Sequence, residues 1–115
     1  MRRGEIFLVN FDPAEGSEVK KERPAIIVSN DGANSSAERS GKGVITVIPV
    51  TSNIAQIYPF QVLLPANQSG LTRDSKVQAE QVRAIAVARL GLRLGEVSHS
   101  LMEEVDEALR LHLAL

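Results

Sequence analysis

The sequence predicts a mainly β protein with one C-terminal helix, in which a small, strongly curved sheet closes towards a barrel. Short apolar runs rich in β-branched residues recur along the chain, and turn-forming Gly, Pro, Asn and Asp residues separate them. Only the last segment carries apolar residues at a sustained helical spacing. A length of 115 residues suits one core, so we expect residues 1–115 to form a single domain.

Five segments have the composition of strands. They are residues 5–11, 24–29, 43–50, 58–64 and 76–87. The first of them alternates apolar side chains between two faces, as a half-buried strand does. Pro24 is tolerated because it is the first residue of its strand, whereas Pro49 inside the third run indicates a sheet edge or a bulge.

One long loop and one helix are predicted outside these strands. Residues 30–42 are rich in Asn, Ser, Gly and Ala and predict a loop with one helical turn at most. Near the C-terminus, Ser100 and Glu103 have the spacing of a capping box. The apolar stripe of this segment consists of Met102, Val105, Leu109 and Leu113. Such a stripe predicts a helix packed on the barrel or on a partner subunit.

The composition argues against several classes of protein. The chain has no cysteine, which excludes disulfides and thiolate metal sites. The two histidines, His99 and His112, lie near the C-terminus, and no acidic residues join them at metal-ligand spacing, so we expect no metal and no other cofactor. No run reaches the length of a membrane span and residues 1–5 do not begin a signal peptide, so we expect a cytoplasmic protein without a membrane partner.

The charges are unevenly distributed along the chain. The net charge is −1, but residues 96–115 carry −4 and residues 1–95 carry +3. A mildly basic body permits phosphate binding without requiring it. The acidic tail fits the solvated face of a helix.

Polar residues at strand ends are the first candidates for a site. Arg23 precedes Pro24, which favours an extended backbone and a guanidinium directed off the sheet, where it could bind a phosphate in bidentate fashion. Thr51, Ser52 and Asn53 end an apolar strand with three hydrogen-bonding side chains. Taken alone, the plainer explanation is favoured for each feature: Arg23 as a surface residue paired with Glu18 or Glu22, and Thr51–Asn53 as a turn.

The last predicted strand carries another group of polar residues. Alternation places Gln78, Glu80 and Val82 on one of its faces. A charged strand face is more often solvated than functional, so this pattern alone does not establish a site.

These segments taken together resemble the MazF/PemK (Kid) family of toxin endoribonucleases. Five motifs similar to those of the family occur in order: Arg3–Ile6 with Asp12-Pro13, Gly16–Glu18, Arg23–Val28, Ile48–Ser52 and Glu80–Ile85. Residues 101–109 are similar to the family's last helix, so the resemblance covers residues 3–113. Each motif alone is weak, whereas five in order at matching spacing are a specific signal.

The resemblance implies a fold, an activity and partners. The fold is an SH3-like barrel with a terminal helix, of the MazF/PemK-like and CcdB-like type, and it forms a homodimer. The activity is sequence-specific, metal-independent cleavage of single-stranded RNA, which leaves a 2′,3′-cyclic phosphate and a 5′-hydroxyl. The chain would be the toxin of a type II toxin–antitoxin system, and the antitoxin would wrap the dimer with a disordered C-terminal segment.

The resemblance also assigns roles to residues. The family's catalytic arginine corresponds to Arg23, its catalytic threonine or serine to Thr51 and its loop glutamate to Glu18. A guanidinium stays protonated at neutral pH, so we expect Arg23 to stabilise charge on the phosphorane, Thr51 to bind a phosphate oxygen and Glu18 to be the base. The chain has one Tyr and three Phe for stacking on bases, so RNA contacts are expected mainly from polar residues. The candidates are Ser17, Lys20, Lys21, Ser52, Asn53, Gln56, Gln78 and Glu80.

The chain departs from the plasmid-borne branch of the family at three positions. Gln78 and Glu80 stand where that branch has an arginine and an aspartate, and Ser17 stands where it has a histidine. The acid–base roles of that branch's last strand are therefore not carried over to this chain.

Two alternatives keep the fold without the catalysis. One is a toxin of the gyrase-poison type, which acts by binding a protein, and the other is an inactive SH3-like adaptor. The gyrase-poison branch ends in a tail that contains tryptophan, and this chain has none. Incubation of the protein with single-stranded RNA in EDTA distinguishes the endoribonuclease from these two alternatives.

Overall fold

The structure is a computed structural model that describes residues 1–11 and 22–115. Its strands are β1 (Glu5–Asn10), β2 (Glu22–Ile27), β3 (Val44–Thr51), β4 (Gln61–Leu64), β5 (Ser75–Gln78), β6 (Arg83–Ala86) and β7 (Leu90–Glu96). Two α-helices, α1 (Asp31–Ser40) and α2 (His99–Leu113), and three single-turn 3₁₀ helices complete the described part. No helix in these two ranges is long and apolar enough to cross a membrane.

The strands form one antiparallel sheet in the order β4-β5-β3-β2-β1-β7, and β6 pairs with the first half of β3. The predicted mainly β fold with a C-terminal helix is confirmed. It differs from the prediction in one respect, because within the described residues the sheet stays open between β4 and β7. The segment after β4 packs its backbone at Ser69 against Gly95 of β7 without pairing with it.

Two apolar clusters lie on the two faces of this sheet. The larger includes Ile26 and Ile48 and is covered by Leu101 and Val105 of α2. The smaller includes Val9, Ala25, Ile27, Val47 and Ile85. Successive residues of β2 and β3 thus enter different clusters, which explains why these strands are almost continuously apolar.

The first helix, α1, was not predicted from the sequence, which indicated a loop over residues 30–42. Asn30 caps the helix through its side-chain oxygen, which accepts a hydrogen bond from the Ala33 N–H at 2.8 Å. Gly41 ends it with a φ of 67°, a conformation that glycine adopts without strain. Only Asn34 and Ala37 are buried, so the helix has no apolar stripe by which the sequence could reveal it.

The C-terminal helix is confirmed, but its predicted cap and stripe are partly wrong. Ser98, not Ser100, caps α2, because its hydroxyl accepts a hydrogen bond from the Leu101 N–H at 3.4 Å. The buried side chains of α2 are Leu101, Met102, Val105 and Ala108. Leu113 remains half exposed, so the buried stripe ends before the last turn of the helix.

The predicted strand over residues 76–87 is interrupted. A 3₁₀ turn at Ala79–Gln81 separates β5 from β6. The two strands pair with different halves of β3: β6 with Val44–Val47 and β5 with Val50 and Thr51. Pro49 lies where β3 changes partner, so it belongs to an interior strand and not to the predicted edge or bulge.

Two further differences concern the ends of the sheet. The structure begins β4 at Gln61, although the apolar composition suggested a strand from residue 58. It also contains β7, which has no counterpart among the predicted strands and which includes Gly91 and Gly95. A Cβ at Gly95 would lie 1.9 Å from the Ser69 carbonyl oxygen, so the glycine that weakens the strand pattern permits this close packing.

Candidate active site

Arg23 and Thr51 come together through the register of β2 and β3. The two strands pair Ala25 with Pro49 in antiparallel register. This pairing ends at Ala25 and Pro49, and because side chains alternate along a strand, Arg23 and Thr51, each two residues further on, lie on the same face of the sheet as that pair. Two residues 28 positions apart in the chain therefore share one end of the sheet.

The backbone of Arg23 is held in place while its side chain is exposed. Arg23 pairs with Val9 of β1, which is fully buried. Within residues 1–11 and 22–115, the guanidinium has no ion-pair partner, so its fork of N–H donors is available to an anion.

Thr51 ends β3 and begins a tight turn. Its Oγ1 accepts a hydrogen bond from the Asn53 N–H at 3.2 Å, and the Asn53 Oδ1 accepts one from the Ala55 N–H at 3.3 Å. Because the Thr51 oxygen is engaged as an acceptor, its hydroxyl proton remains available to donate to a bound oxygen. This turn also sets the start of the exposed segment 52–59.

Lys76 is a neighbour of Thr51 that the sequence analysis did not select. The two residues are paired across β3 and β5, and Lys76 is only 9% exposed. Its Nζ donates a hydrogen bond to the Gln56 carbonyl at 2.6 Å and lies 5.8 Å from the centre of the Tyr58 ring. The only signal in the sequence is a lysine directly before the apolar Val77 in a predicted strand.

Gln78 and Glu80 lie close to this group but not as predicted. The 3₁₀ turn breaks the alternation that would have put Gln78, Glu80 and Val82 on one strand face. Gln78 pairs with the buried Gln61, whose Nε2 donates to the Glu80 carboxylate at 2.8 Å. Within the described ranges, Gln78 Oε1 and Glu80 Oε1 are buried oxygens without a hydrogen-bond partner. Gln61 thus connects the two residues at the border of the site, by strand pairing with Gln78 and by a hydrogen bond to Glu80.

The remaining predicted contacts divide into two groups. Ser52, Asn53 and Gln56 are exposed in the segment between β3 and β4, beside Thr51. Ser17, Glu18, Lys20 and Lys21 lie outside the described residues, so their predicted roles stay predictions. We use the term site face for the side of the sheet that carries Arg23, Thr51, Lys76 and Gln78.

A cavity of about 370 Å³ opens at the same strand ends. Its lining includes Pro24 and Ser52, the immediate chain neighbours of Arg23 and Thr51, and Arg73 from the turn before β5. Val50, Leu71 and Leu94 contribute apolar wall. A cavity of this size with apolar walls and a polar rim can hold a flat heterocyclic ring.

The charges and donors of the site define its chemistry. Two cationic side chains, Arg23 and Lys76, and the Thr51 hydroxyl lie at one end of the sheet. In the part of the chain that the structure describes, no three His, Asp or Glu residues are arranged to hold a metal ion. A small antiparallel sheet with a terminal helix and a cationic site at its strand ends is suited to bind an anionic, phosphate-containing ligand.

Comparison with known proteins identifies the family. The model of the PemK-like, MazF-like toxins of type II toxin–antitoxin systems matches residues 2–113, and the chain belongs to this family. The chain is 60% identical over 115 residues to endoribonuclease MazF9 of Mycobacterium tuberculosis, covering all of this chain and 98% of that protein. It is 31% identical over 115 residues to endoribonuclease EndoA of Bacillus subtilis, covering all of this chain and 96% of the relative.

Solved structures agree with this assignment. The crystal structure of MazF from Deinococcus radiodurans is 30% identical, matches all of this chain and 97% of its own, and superposes with a TM-score of 0.73. An endoribonuclease in complex with its cognate antitoxin, from a mycobacterial species, has a TM-score of 0.79 over all of this chain and 96% of its own. At 22% identity the latter likeness shows the fold alone. The resemblance that the sequence motifs indicated is thus confirmed.

Proposed function

We propose that the chain cleaves single-stranded RNA at specific sequences, without a metal ion, through a 2′,3′-cyclic phosphate. It is a toxin endoribonuclease of the MazF family, and its relatives MazF9 and EndoA are named endoribonucleases. The observation that carries the proposal is the pairing of β2 with β3 up to Ala25 and Pro49, which brings the next residues on that face, Arg23 and Thr51, to one end of the sheet. A guanidinium and a hydroxyl on one face can together hold a phosphate group.

The reaction uses the RNA's own 2′-hydroxyl as nucleophile. The 2′-oxygen bonds to phosphorus as its proton passes to a base, and the bond from phosphorus to the 5′-oxygen breaks. The electron pair of that bond stays on the 5′-oxygen, which takes up a proton and leaves as a 5′-hydroxyl. No water is consumed in this step, so the upstream fragment ends at its 3′ end in a 2′,3′-cyclic phosphate.

Each site residue has one task in this step. Arg23 binds two phosphate oxygens and stabilises the charge that grows on the phosphorane. The Thr51 hydroxyl donates a hydrogen bond to one of the two non-bridging oxygens and fixes the position of the phosphate. Glu18 is the proposed base for the 2′-proton, and it lies in the segment outside the described residues.

Sequence specificity would come from polar contacts to unstacked bases. Ser52, Asn53 and Gln56 present amide and hydroxyl groups along an exposed segment next to Thr51. The unpartnered oxygens of Gln78 and Glu80 are acceptors suited to the N–H groups of a base. Ser17, Lys20 and Lys21, which lie outside the described residues, are proposed as further RNA contacts.

The proposed partners follow from the family. Solved relatives include complexes of MazE with MazF from D. radiodurans, so an antitoxin with a disordered C-terminal segment is proposed for this chain. A homodimer is also proposed, and light scattering at tens of micromolar should give twice the mass of the 12.5 kDa chain. A cytoplasmic location is proposed as well, because the protein would meet both the RNA and the antitoxin there.

The test is incubation of the purified protein with a long single-stranded RNA in the presence of EDTA. We expect discrete fragments whose 3′ ends carry a cyclic phosphate and whose 5′ ends are accepted by a kinase without prior dephosphorylation. The folded Arg23→Ala variant is the control for a contaminating nuclease. An absence of cleavage by the wild-type protein, or cleavage that requires added Mg²⁺, contradicts the proposal.

A further inference from the structure

Lys76 stands out because its position is buried and no acid within residues 1–11 and 22–115 pairs with it. Only 9% of the residue is exposed, and lysines are almost never this buried unless they are paired. In the part of the chain that the structure describes, no carboxylate lies within ion-pair distance of its ammonium. Burying a cation without an anion is costly, so the position requires an explanation.

The ammonium is nevertheless held at a definite point. It donates to the Gln56 carbonyl at 2.6 Å, and the Tyr58 ring centre is 5.8 Å away. An ammonium has three N–H donors, so two remain after the bond to Gln56. A fixed cation with spare donors is an anion ligand that is already oriented.

The position of Lys76 in the sheet indicates which anion its ammonium would bind. Lys76 is the direct cross-strand partner of Thr51, and paired side chains stand on the same face with Cβ atoms about 4.5–5.5 Å apart. Arg23 lies on the same face, on the other side of β3, because β2 pairs with β3 up to Ala25 and Pro49 and side chains alternate along each strand. Thr51 therefore lies between two cations contributed by two different strands.

We propose that Lys76 is a phosphate-binding residue of the RNA site, which neutralises a backbone phosphate next to the one held by Thr51 and Arg23. This inference rests on the proposed function, because it takes single-stranded RNA as the ligand. Lys76 supplies charge at a fixed distance from Thr51, and the bond to Gln56 keeps that charge on the site face. RNA binding then supplies the anion that the buried ammonium lacks.

The test is the salt dependence of RNA binding. The probe is a single-stranded RNA that spans a cleavage site mapped with the wild-type protein, with 2′-O-methyl groups that prevent cleavage. Each phosphate contact to single-stranded nucleic acid adds about 0.7 to the slope of log K against log salt concentration. We expect Lys76→Met to lower the magnitude of this slope by about 0.7 and to weaken binding at low salt by about tenfold or more. Lys42→Met, at an exposed lysine after α1, is the matched control and should leave the slope unchanged.

A second variant separates phosphate binding from a tethering role. Lys76→Gln removes the charge but keeps an N–H donor for the Gln56 carbonyl. If Lys76 only tethers this segment, Lys76→Gln should behave like the wild-type protein. If Lys76 binds phosphate, Lys76→Gln should lower the magnitude of the salt slope by the same amount as Lys76→Met. Should Lys76→Met fail to fold, Lys76→Gln takes its place as the neutral variant.

The outcomes distinguish this inference from the proposed function. A folded neutral variant with the wild-type slope overturns the phosphate role of Lys76, even when wild-type cleavage proceeds as expected. A wild-type protein that neither binds nor cleaves the RNA overturns both. Thermal melts monitored by circular dichroism establish which variants are folded.

Discussion

In the proposed site, Arg23 and Thr51 would contribute different physical properties to the binding of one phosphate. The guanidinium offers a planar pair of donors and a permanent charge, while the hydroxyl offers one neutral donor. Thr51 is further fixed because its Oγ1 accepts a hydrogen bond from the Asn53 N–H. Substitutions at the two positions should therefore have effects of different size.

Arg23→Lys should be nearly as damaging as Arg23→Ala. An ammonium is a point charge and cannot bridge two phosphate oxygens as a guanidinium does. By analogy with the loss of one oxyanion donor, single-turnover cleavage of a fluorogenic RNA should slow by about 10²–10³. Both variants should fold, because Arg23 is exposed. Wild-type activity in a folded Arg23→Lys variant would remove the bidentate role.

Thr51→Ala should slow cleavage by about 2- to 10-fold, because it removes one neutral hydrogen bond worth about 0.5–1.5 kcal/mol. Thr51→Ser retains both the donor and the oxygen that accepts from Asn53, so its rate should stay close to that of the wild-type protein. The same single-turnover assay measures both variants. A Thr51→Ser variant as slow as Thr51→Ala would mean that the methyl group, and not the hydroxyl, matters.

Among the strands, β7 packs its backbone directly against the backbone of another segment. Its Gly95 pairs with Ile6 of β1 and also lies against the Ser69 carbonyl of the segment after β4. This contact joins the two ends of the open sheet, which hydrogen bonding between strands does not connect within the described residues.

Gly95→Ala should destabilise the protein by about 1–3 kcal/mol, the range for forcing extra atoms into a packed site. The new Cβ would sit 1.9 Å from a backbone oxygen that cannot turn away as a flexible side chain can. Gly91→Ala in the same strand is the matched control, because its Cβ would lie 3.2 Å from the Leu8 carbonyl oxygen. Urea unfolding curves measure both, and equal stabilities of the two variants would contradict the packing argument.

At the scale of the whole molecule, ion pairs connect the N-terminal segment to distant parts of the chain. Arg3 pairs with Asp106 of α2, and Glu5 pairs with Arg93 of β7. Burial by itself would raise the pKa of Glu5, but hydrogen bonds from Arg93 and from the Arg2 N–H, with the charge of Arg93, lower it on balance below its usual value of 4.5. A lowered carboxyl pKa stabilises the folded state above the pKa of the unfolded chain.

The contribution of Glu5 should therefore be present at neutral pH and disappear on acidification. The free energy of unfolding should fall as the pH decreases from about 4.5 through the lower folded-state pKa. Glu5→Gln should be less stable than the wild-type protein at pH 7, and the difference should shrink towards pH 3. Urea unfolding at a series of pH values measures this, and a difference that does not vary with pH would exclude the linkage.

The sequence was sufficient to predict β1 and the terminal helix, which repeat their apolar side chains at the period of their own backbone, and β2 and β3, which are short, almost continuous apolar runs between turn signals. It also indicated the family and selected Arg23 and Thr51, since their motifs are contiguous in the chain. It did not reveal α1, whose stability depends on the caps at Asn30 and Gly41 and not on an apolar stripe.

The tertiary structure alone decided which strands are neighbours and in what register. It divided the last predicted strand at Ala79–Gln81, since β5 and β6 pair with different halves of β3. It placed Lys76 beside Thr51, although 24 residues separate them in the chain. The physical reason is that side-chain periodicity is set within a few residues, whereas strand pairing depends on contacts between distant segments, which no local pattern specifies.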